Sequence, residues 1–160
     1  MRVAIAAALA LLPVSSLHAQ AAAPAAAAPM PDLTFAVPLA GDWSYSSNAN
    51  GSQAVFRSAS SRVPQLTIRC TKPARHVTIA KPASAAAPFL FVWTSSLSKS
   101  FSATFDPTTA QLSATLESSN ILLDALAFSR GRFGVSVSGA PALVLPAWAE
   151  VGRVIEDCRT

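Results

Sequence analysis

The sequence predicts a mainly β domain, an antiparallel β sandwich or curled sheet with two short helices, the last one C-terminal. Three observations predict it. Short apolar–polar alternations recur from Trp43 to Leu116 and again from Arg132, with turn residues between them. Only the stretches after Ser119 and after Pro146 change to spacings of three and four. Two cysteines, Cys70 and Cys158, sit far apart in a chain that opens like an exported protein.

The opening divides into signal, tether and domain. Met1-Arg2 is a short positive region, Val3 to Val14 is apolar, and Ser15 to Ala19 ends in small residues, so residues 1–19 read as a signal peptide cut after Ala19, with a second acceptable site after Ala21. Twelve apolar residues are too few to span the ~30 Å of a bilayer core, so no stable membrane span is expected after cleavage. Residues 20–31 form an Ala/Pro-rich linker, in which Pro24, Pro29 and Pro31 interrupt any alanine helix. A single β-rich domain is expected over 32–160. The localisation that follows is periplasmic or secreted.

Each strand has its own signal. Asp42–Ser46 and Gln53–Arg57 flank Asn50-Gly51, a dipeptide suited to a type I′ hairpin turn. Gln65–Cys70 alternates so that Leu66, Ile68 and Cys70 share one face. Arg75–Lys81 places Val77 and Ile79 inward and His76 outward. The continuous apolar run Phe89–Trp93 reads as a central strand covered on both faces. Phe101, Ala103 and Phe105 alternate, Asp106-Pro107 breaks the run, and Leu112, Ala114 and Leu116 complete a hairpin. Asn120–Phe128 has helical spacing, with Ser119 or Asn120 as cap and Gly131 as stop. Phe133, Val135 and Val137 return to alternation, and Ser138-Gly139 turns the chain into Pro141–Leu145. In the last helix Pro146 suits the first turn, and Trp148, Val151, Ile155 and Cys158 form one stripe. Cys158 thus points inward, as does Cys70, and the pair is expected to form a disulfide.

Composition narrows the function. Charged residues make up 12% of the chain, about half the usual share, and twenty-one serines supply the missing polarity. Loss of Arg2 with the signal leaves eleven basic and eight acidic side chains, a net charge near +3. So mild a balance on an exported chain does not point to nucleic acid. No cluster of His, Cys and carboxylate has metal-ligand spacing, and no glycine-rich loop opens a helix, so neither a metal nor a cofactor is expected.

Catalysis has one weak candidate. His76 is the only histidine after Ala19, its strand phase exposes it, and Glu117, Asp124 and Glu150 could each orient it. Gly134-Val135-Ser136-Val137-Ser138 lacks the second glycine of a nucleophile elbow and lies in strand rather than at a strand–helix turn. Two basic groups remain. Arg69, Lys72 and Arg75 crowd the turn after Cys70, and Arg130 and Arg132 bracket Gly131. Arginine forks at a glycine turn can grip a carboxylate or phosphate, which makes Arg130 and Arg132 the candidate binding residues.

The segment Leu122–Arg159, through its AFSRGRF and PAWAEVGRVIEDCR stretches, resembles the closing block of small exported alphaproteobacterial proteins of unknown function. More loosely, the signal, the Gly41-Asp42-Trp43 opening strand and the terminal helix ending in cysteine are similar to the invasion-associated locus B family. Neither resemblance implies an active site. The expectation is a non-catalytic periplasmic binding or interaction domain whose partner is an envelope component or a periplasmic protein. The alternative is a small periplasmic hydrolase using His76 and a serine.

Overall fold

The computed structural model describes residues 35–138 and 140–160. The expected signal, the linker, the first residues of the domain and Gly139 of the expected turn lie outside the described residues. The described chain is mainly β, with two antiparallel sheets and two helices, the second near the C-terminus.

The first sheet is built from β1 (Gly41–Asn48), β2 (Gly51–Ser58), β3 (Pro64–Thr71), β4 (His76–Pro82), β8 (Gln111–Glu117) and the short β7 (Thr104–Asp106), in that spatial order. The second runs β10 (Leu143–Pro146), β9 (Arg132–Val137), β5 (Phe89–Trp93) and β6 (Ser98–Ser102). Helix α1 (Ile121–Ala127) joins β8 to β9, and α2 (Ala149–Asp157) ends the chain against β1, β2 and β3.

Alternation sets the inner faces. Leu66, Ile68 and Cys70 of β3 and Val77 and Ile79 of β4 are all buried, as are Phe133, Val135 and Val137 of β9. Register keeps these phases aligned: Ala54, Ile68, Ile79 and Ala114 face one another across four consecutive strands. Phe56 and Phe133 are fully buried, each contributing about 1.5–3 kcal/mol by leaving water. Trp43 packs edge-on against Phe56 at 5.3 Å and stacks on Phe133 at 6.2 Å, so one ring joins both sheets.

Both flanks of the two-sheet stack are sewn. On one side Leu39 N–H donates to Val144 O (2.9 Å) just before the chain enters β1. On the other, the alternating run through Phe101, Ala103 and Phe105 is divided between sheets: β6 belongs to the second and β7 to the first. Ala103 is the crossing point, its N–H held by Pro88 O at 3.0 Å. Alternation alone shows one strand here, because the side-chain phase survives the crossing. The β7–β8 hairpin forms as expected.

Four local expectations are corrected. The β1–β2 loop is Ala49-Asn50, one residue earlier than the Asn50-Gly51 turn, and neither residue has positive φ. Gly51 instead opens β2 at φ +154°, where a Cβ would lie 2.0 Å from Cys70 O; its absence of side chain permits close backbone approach. Phe89–Trp93 is central within its sheet but not covered on both faces: Leu90 and Val92 are buried, whereas Phe89 is exposed and Phe91 half-buried. Phe89, Phe91 and Trp93 lean on one another along the outer face, at 6.3 and 6.0 Å between rings. Pro146 ends β10 instead of starting the last helix, and Trp148 is an exposed N-cap residue outside the buried stripe. Val151, Val154 and Ile155 carry that stripe, because the helix starts three residues later than expected.

Other local signals hold. Asn120 caps α1, its side chain accepting from Leu122 N–H at 3.0 Å. Cys70 and Cys158 form the disulfide, with Cα atoms 5.3 Å apart. The bridge fixes the end of α2 to β3.

Candidate functional site

Gly131 is the hub of the candidate site. It adopts φ +73°, a left-handed conformation that glycine accepts without strain, and a Cβ there would meet no atom within 4 Å. The turn therefore needs glycine for its backbone angle, not for space. Ser95 and Ser129 pin it. Ser129 Oγ donates to Arg132 O (2.5 Å) and accepts from Ser95 N–H (3.0 Å), and Ser95 Oγ accepts from Arg130 N–H (3.0 Å). A rigid turn thus presents the two arginines.

Their roles differ. Arg130 is exposed. Arg132 is half-buried on β9, and its guanidinium donates to Ala36 O of the segment that leads into β1. Arg132 is therefore a positioning residue for that segment, and Arg130 is the outward cation. Sequence spacing alone made them equivalent; the partner 96 residues away separates them.

Apolar side chains surround this hub. Ala147 N–H donates to Gly131 O (3.2 Å), which brings Trp148 alongside the turn. Where the two helices meet, a Cβ on Gly152 of α2 would lie 3.8 Å from Ala127 Cβ, and Phe128 directly follows Ala127. The Arg132–Ala36 bond brings the segment that holds Phe35 and Val37, the neighbours of Ala36, to β9, the strand that carries Arg132. Phe35, Val37, Phe128 and Trp148 are exposed by 81, 85, 78 and 44%. Large apolar groups this open, on segments that meet near one turn, make this region the candidate interaction face.

The remaining candidates are placed elsewhere. His76 Nε2 meets Glu117 Oε1 at 2.8 Å on the outer face of the first sheet, where β4 and β8 put the two residues directly opposite. That register selects Glu117 from the three carboxylates the sequence left open. Ser136 lies within β9 with its hydroxyl buried and unpartnered. The Arg69, Lys72 and Arg75 group is dispersed: Arg69 donates to Gln53 Oε1 (3.0 Å) and Arg75 to Arg159 O (2.6 Å). Arg159 in turn pairs with Asp124 at 2.7 Å. Among the described residues no group of three or more His, Cys, Asp or Glu side chains is gathered as a metal site would require.

One polar cluster was not legible in sequence. Tyr45 O–H donates to Asp157 Oδ2 at 2.6 Å, and the Arg153 guanidinium lies 4.0 Å over the Tyr45 ring. Desolvation works to raise the Asp157 pKa, but the hydrogen bond from Tyr45 and the charges of Lys72 and Arg153 outweigh it. Asp157 is left below the usual aspartate range. A groove of about 420 Å³ lies nearby, lined among others by Ser46, Asn50, Ser52 and Arg69.

The chain matches no family model, no curated protein and no solved structure. The geometry of its own residues carries the functional argument.

Proposed function

We propose that this is a non-catalytic, exported binding domain that meets an envelope component or a periplasmic protein through the face around Gly131. One observation carries the reading: exposed Phe128 and exposed Trp148 belong to the segments that meet at the turn carrying exposed Arg130, which Ser95 and Ser129 pin and to which Ala147 is bonded. Apolar area supplies affinity and the guanidinium supplies orientation on an anionic group. The Cys70–Cys158 disulfide fits an oxidising, non-cytoplasmic compartment and supports export to the periplasm or beyond. The resemblance of Leu122–Arg159 to small exported alphaproteobacterial proteins belongs to the same proposal, since that stretch builds α1, the turn, β9, β10 and α2.

The test is capture from solubilised envelope by wild type and by the double variant Phe128→Ser/Arg130→Ala. Recovery specific to the wild type is expected. Equal recovery by both would remove this face from the function.

A hydrolase using His76 and a serine is the second reading, and the 2.8 Å His76–Glu117 contact is what favours it. The contact lies on an outer sheet face. If hydrolysis is detected with any ester or peptide substrate, His76→Ala is expected to preserve it; abolished activity in a folded variant would favour the enzyme.

A further inference from the structure

We propose that the outer face of β1, β2 and β3 is a second binding site, separate from the turn at Gly131, and that its ligand is an acidic glycan, a saccharide chain bearing carboxylates.

Strand phase builds the face. Trp43 and Tyr45 turn inward, Trp43 against Phe56 and Phe133 and Tyr45 onto Asp157 of α2. Asp42, Ser44, Ser46 and Asn48 therefore point the other way. The register sets Arg57 opposite Asp42, and places Ser46, Gln53 and Arg69 in one row across the three strands. Asn48, Gly51 and Thr71 form a parallel row, to which Gly51 adds no side chain.

Two grooves lie along this face. One, about 420 Å³, is bordered by Ser46, Asn48, Gln53, Arg69 and Thr71 at the hairpin end. The other, about 480 Å³, is bordered by Asp42, Ser44, Arg57, Ser60 and Arg62 at the opposite end. Ser44 and Ser46 are successive side chains on one side of β1, so the grooves adjoin. From Asp42 to Asn48 the strand covers roughly 20 Å, a length suited to a chain rather than to one small molecule.

The arginines are held in position. Arg57 donates through Nε to Arg62 O at 3.1 Å and through Nη1 to Ser44 Oγ at 3.2 Å. Arg69 donates through Nη2 to Gln53 Oε1 at 3.0 Å. A guanidinium carries five N–H donors, so each keeps several for a ligand, and a carboxylate is a group whose two oxygens fit that fork. Arg57, Arg62 and Arg69 against Asp42 leave the lining positive. Arg57 bonds to Ser44 and Arg62 rather than to the Asp42 carboxylate it faces in register.

The rest of the lining selects a saccharide. Its serine, threonine, asparagine and glutamine side chains supply donors and acceptors side by side, the complement of a ring that carries several hydroxyls. Trp43 is buried and Cys70 is bridged, so Ala59 is the one exposed apolar side chain among the residues lining either groove. A ligand that binds through apolar groups would find no pocket for them here.

Calorimetric titration of the purified chain with tetragalacturonate at low salt tests the site. Maltotetraose is the neutral saccharide of equal length, and tetraglutamate the acidic peptide. Tetragalacturonate is expected to bind at least about tenfold tighter than either control, and added salt is expected to weaken it. Arg57→Ala and Arg69→Ala are each expected to weaken binding about tenfold with the folded-state spectrum intact, since both side chains are exposed. The Phe128→Ser/Arg130→Ala variant is expected to bind tetragalacturonate like wild type, which separates this site from the face around Gly131.

Wild type that does not bind tetragalacturonate, or arginine variants that bind it like wild type, overturns the site. Equal affinity for maltotetraose overturns the role of the arginines, and equal affinity for tetraglutamate overturns the saccharide in favour of an acidic peptide. Binding lost in the Phe128→Ser/Arg130→Ala variant overturns the location and leaves the Gly131 face as the site.

Discussion

Trp43 Nε1–H donates to Pro146 O at 2.9 Å, joining the first strand to the last across 103 residues. The same indole touches Phe56 of one sheet and Phe133 of the other. Trp43→Phe keeps a ring in place but leaves a buried carbonyl unpaired, and is expected to cost about 1–3 kcal/mol. Trp43→Ala also opens a cavity between the sheets, and about 3–5 kcal/mol is expected. Urea denaturation of both variants checks the order; equal losses would mean that the ring's packing adds nothing beyond the hydrogen bond.

The disulfide closes a loop whose ends are 88 residues apart. Chain entropy assigns such a closure about 4.5 kcal/mol at most, comparable with the net stability of a small domain. Reduction is expected to lower the melting temperature by roughly 10–20 °C and to speed amide exchange in α2 before the sheets. Scanning calorimetry with and without reductant, paired with exchange mass spectrometry, reads both effects. Two free thiols in protein isolated from the native host would contradict the pairing.

The two arginines at Gly131 are expected to respond differently. Arg130→Ala should leave stability within about 0.5 kcal/mol, because the side chain is exposed. Arg132→Ala removes the donor to Ala36 O, and a half-buried charged hydrogen bond is worth about 1.5–3 kcal/mol. The loss should appear as faster amide exchange in Val37 and Leu39. Identical exchange in the two variants would show that Arg132 does not hold that segment.

Asp157 adds a pH dependence. Its folded pKa lies below its unfolded value, so the folded state favours the charged form. The resulting stability is present above the unfolded pKa, about 3.9, and is lost as pH falls through the lower folded value. Asp157→Asn is therefore expected to be less stable than wild type near pH 7, by under about 1 kcal/mol because the group is partly solvated. The gap should close at strongly acid pH. Parallel denaturation curves at pH 7 and pH 2 measure it, and a gap that widens on acidification would reverse the sign.

Much of the scaffold was legible because alternation and burial share one cause. A strand with one face on a core must repeat every second residue, so Leu66, Ile68, Val77, Ile79, Phe133 and Val135 announce their own orientation. The Cys70–Cys158 pairing followed from the same phase rule applied to a strand and a helix. What was hidden depends on partners distant in sequence. Nothing near Arg132 names Ala36, nothing near His76 names Glu117, and Tyr45 finds Asp157 only because α2 packs on β1. Trp148 misled for a related reason: its spacing fits the helical stripe, but the helix begins at Ala149, and one turn of misplacement turns a core residue into an exposed one. The candidate face was half visible. Arg130 and Gly131 stand out as a basic turn, while Phe35, Phe128 and Trp148 gather there only through contacts between separate segments.

The stitching of both flanks decides when this chain can fold. Leu39 and Trp43 wait for Val144 and Pro146, and Cys70 waits for Cys158. Until residue 146 is available the first strand has no opposite wall, and until residue 158 arrives the third has no helix clamped to it. A nascent chain therefore has nothing complete to lock into during most of its synthesis, and closure depends on its last dozen or so residues. The last segment made is thus the one that completes the fold.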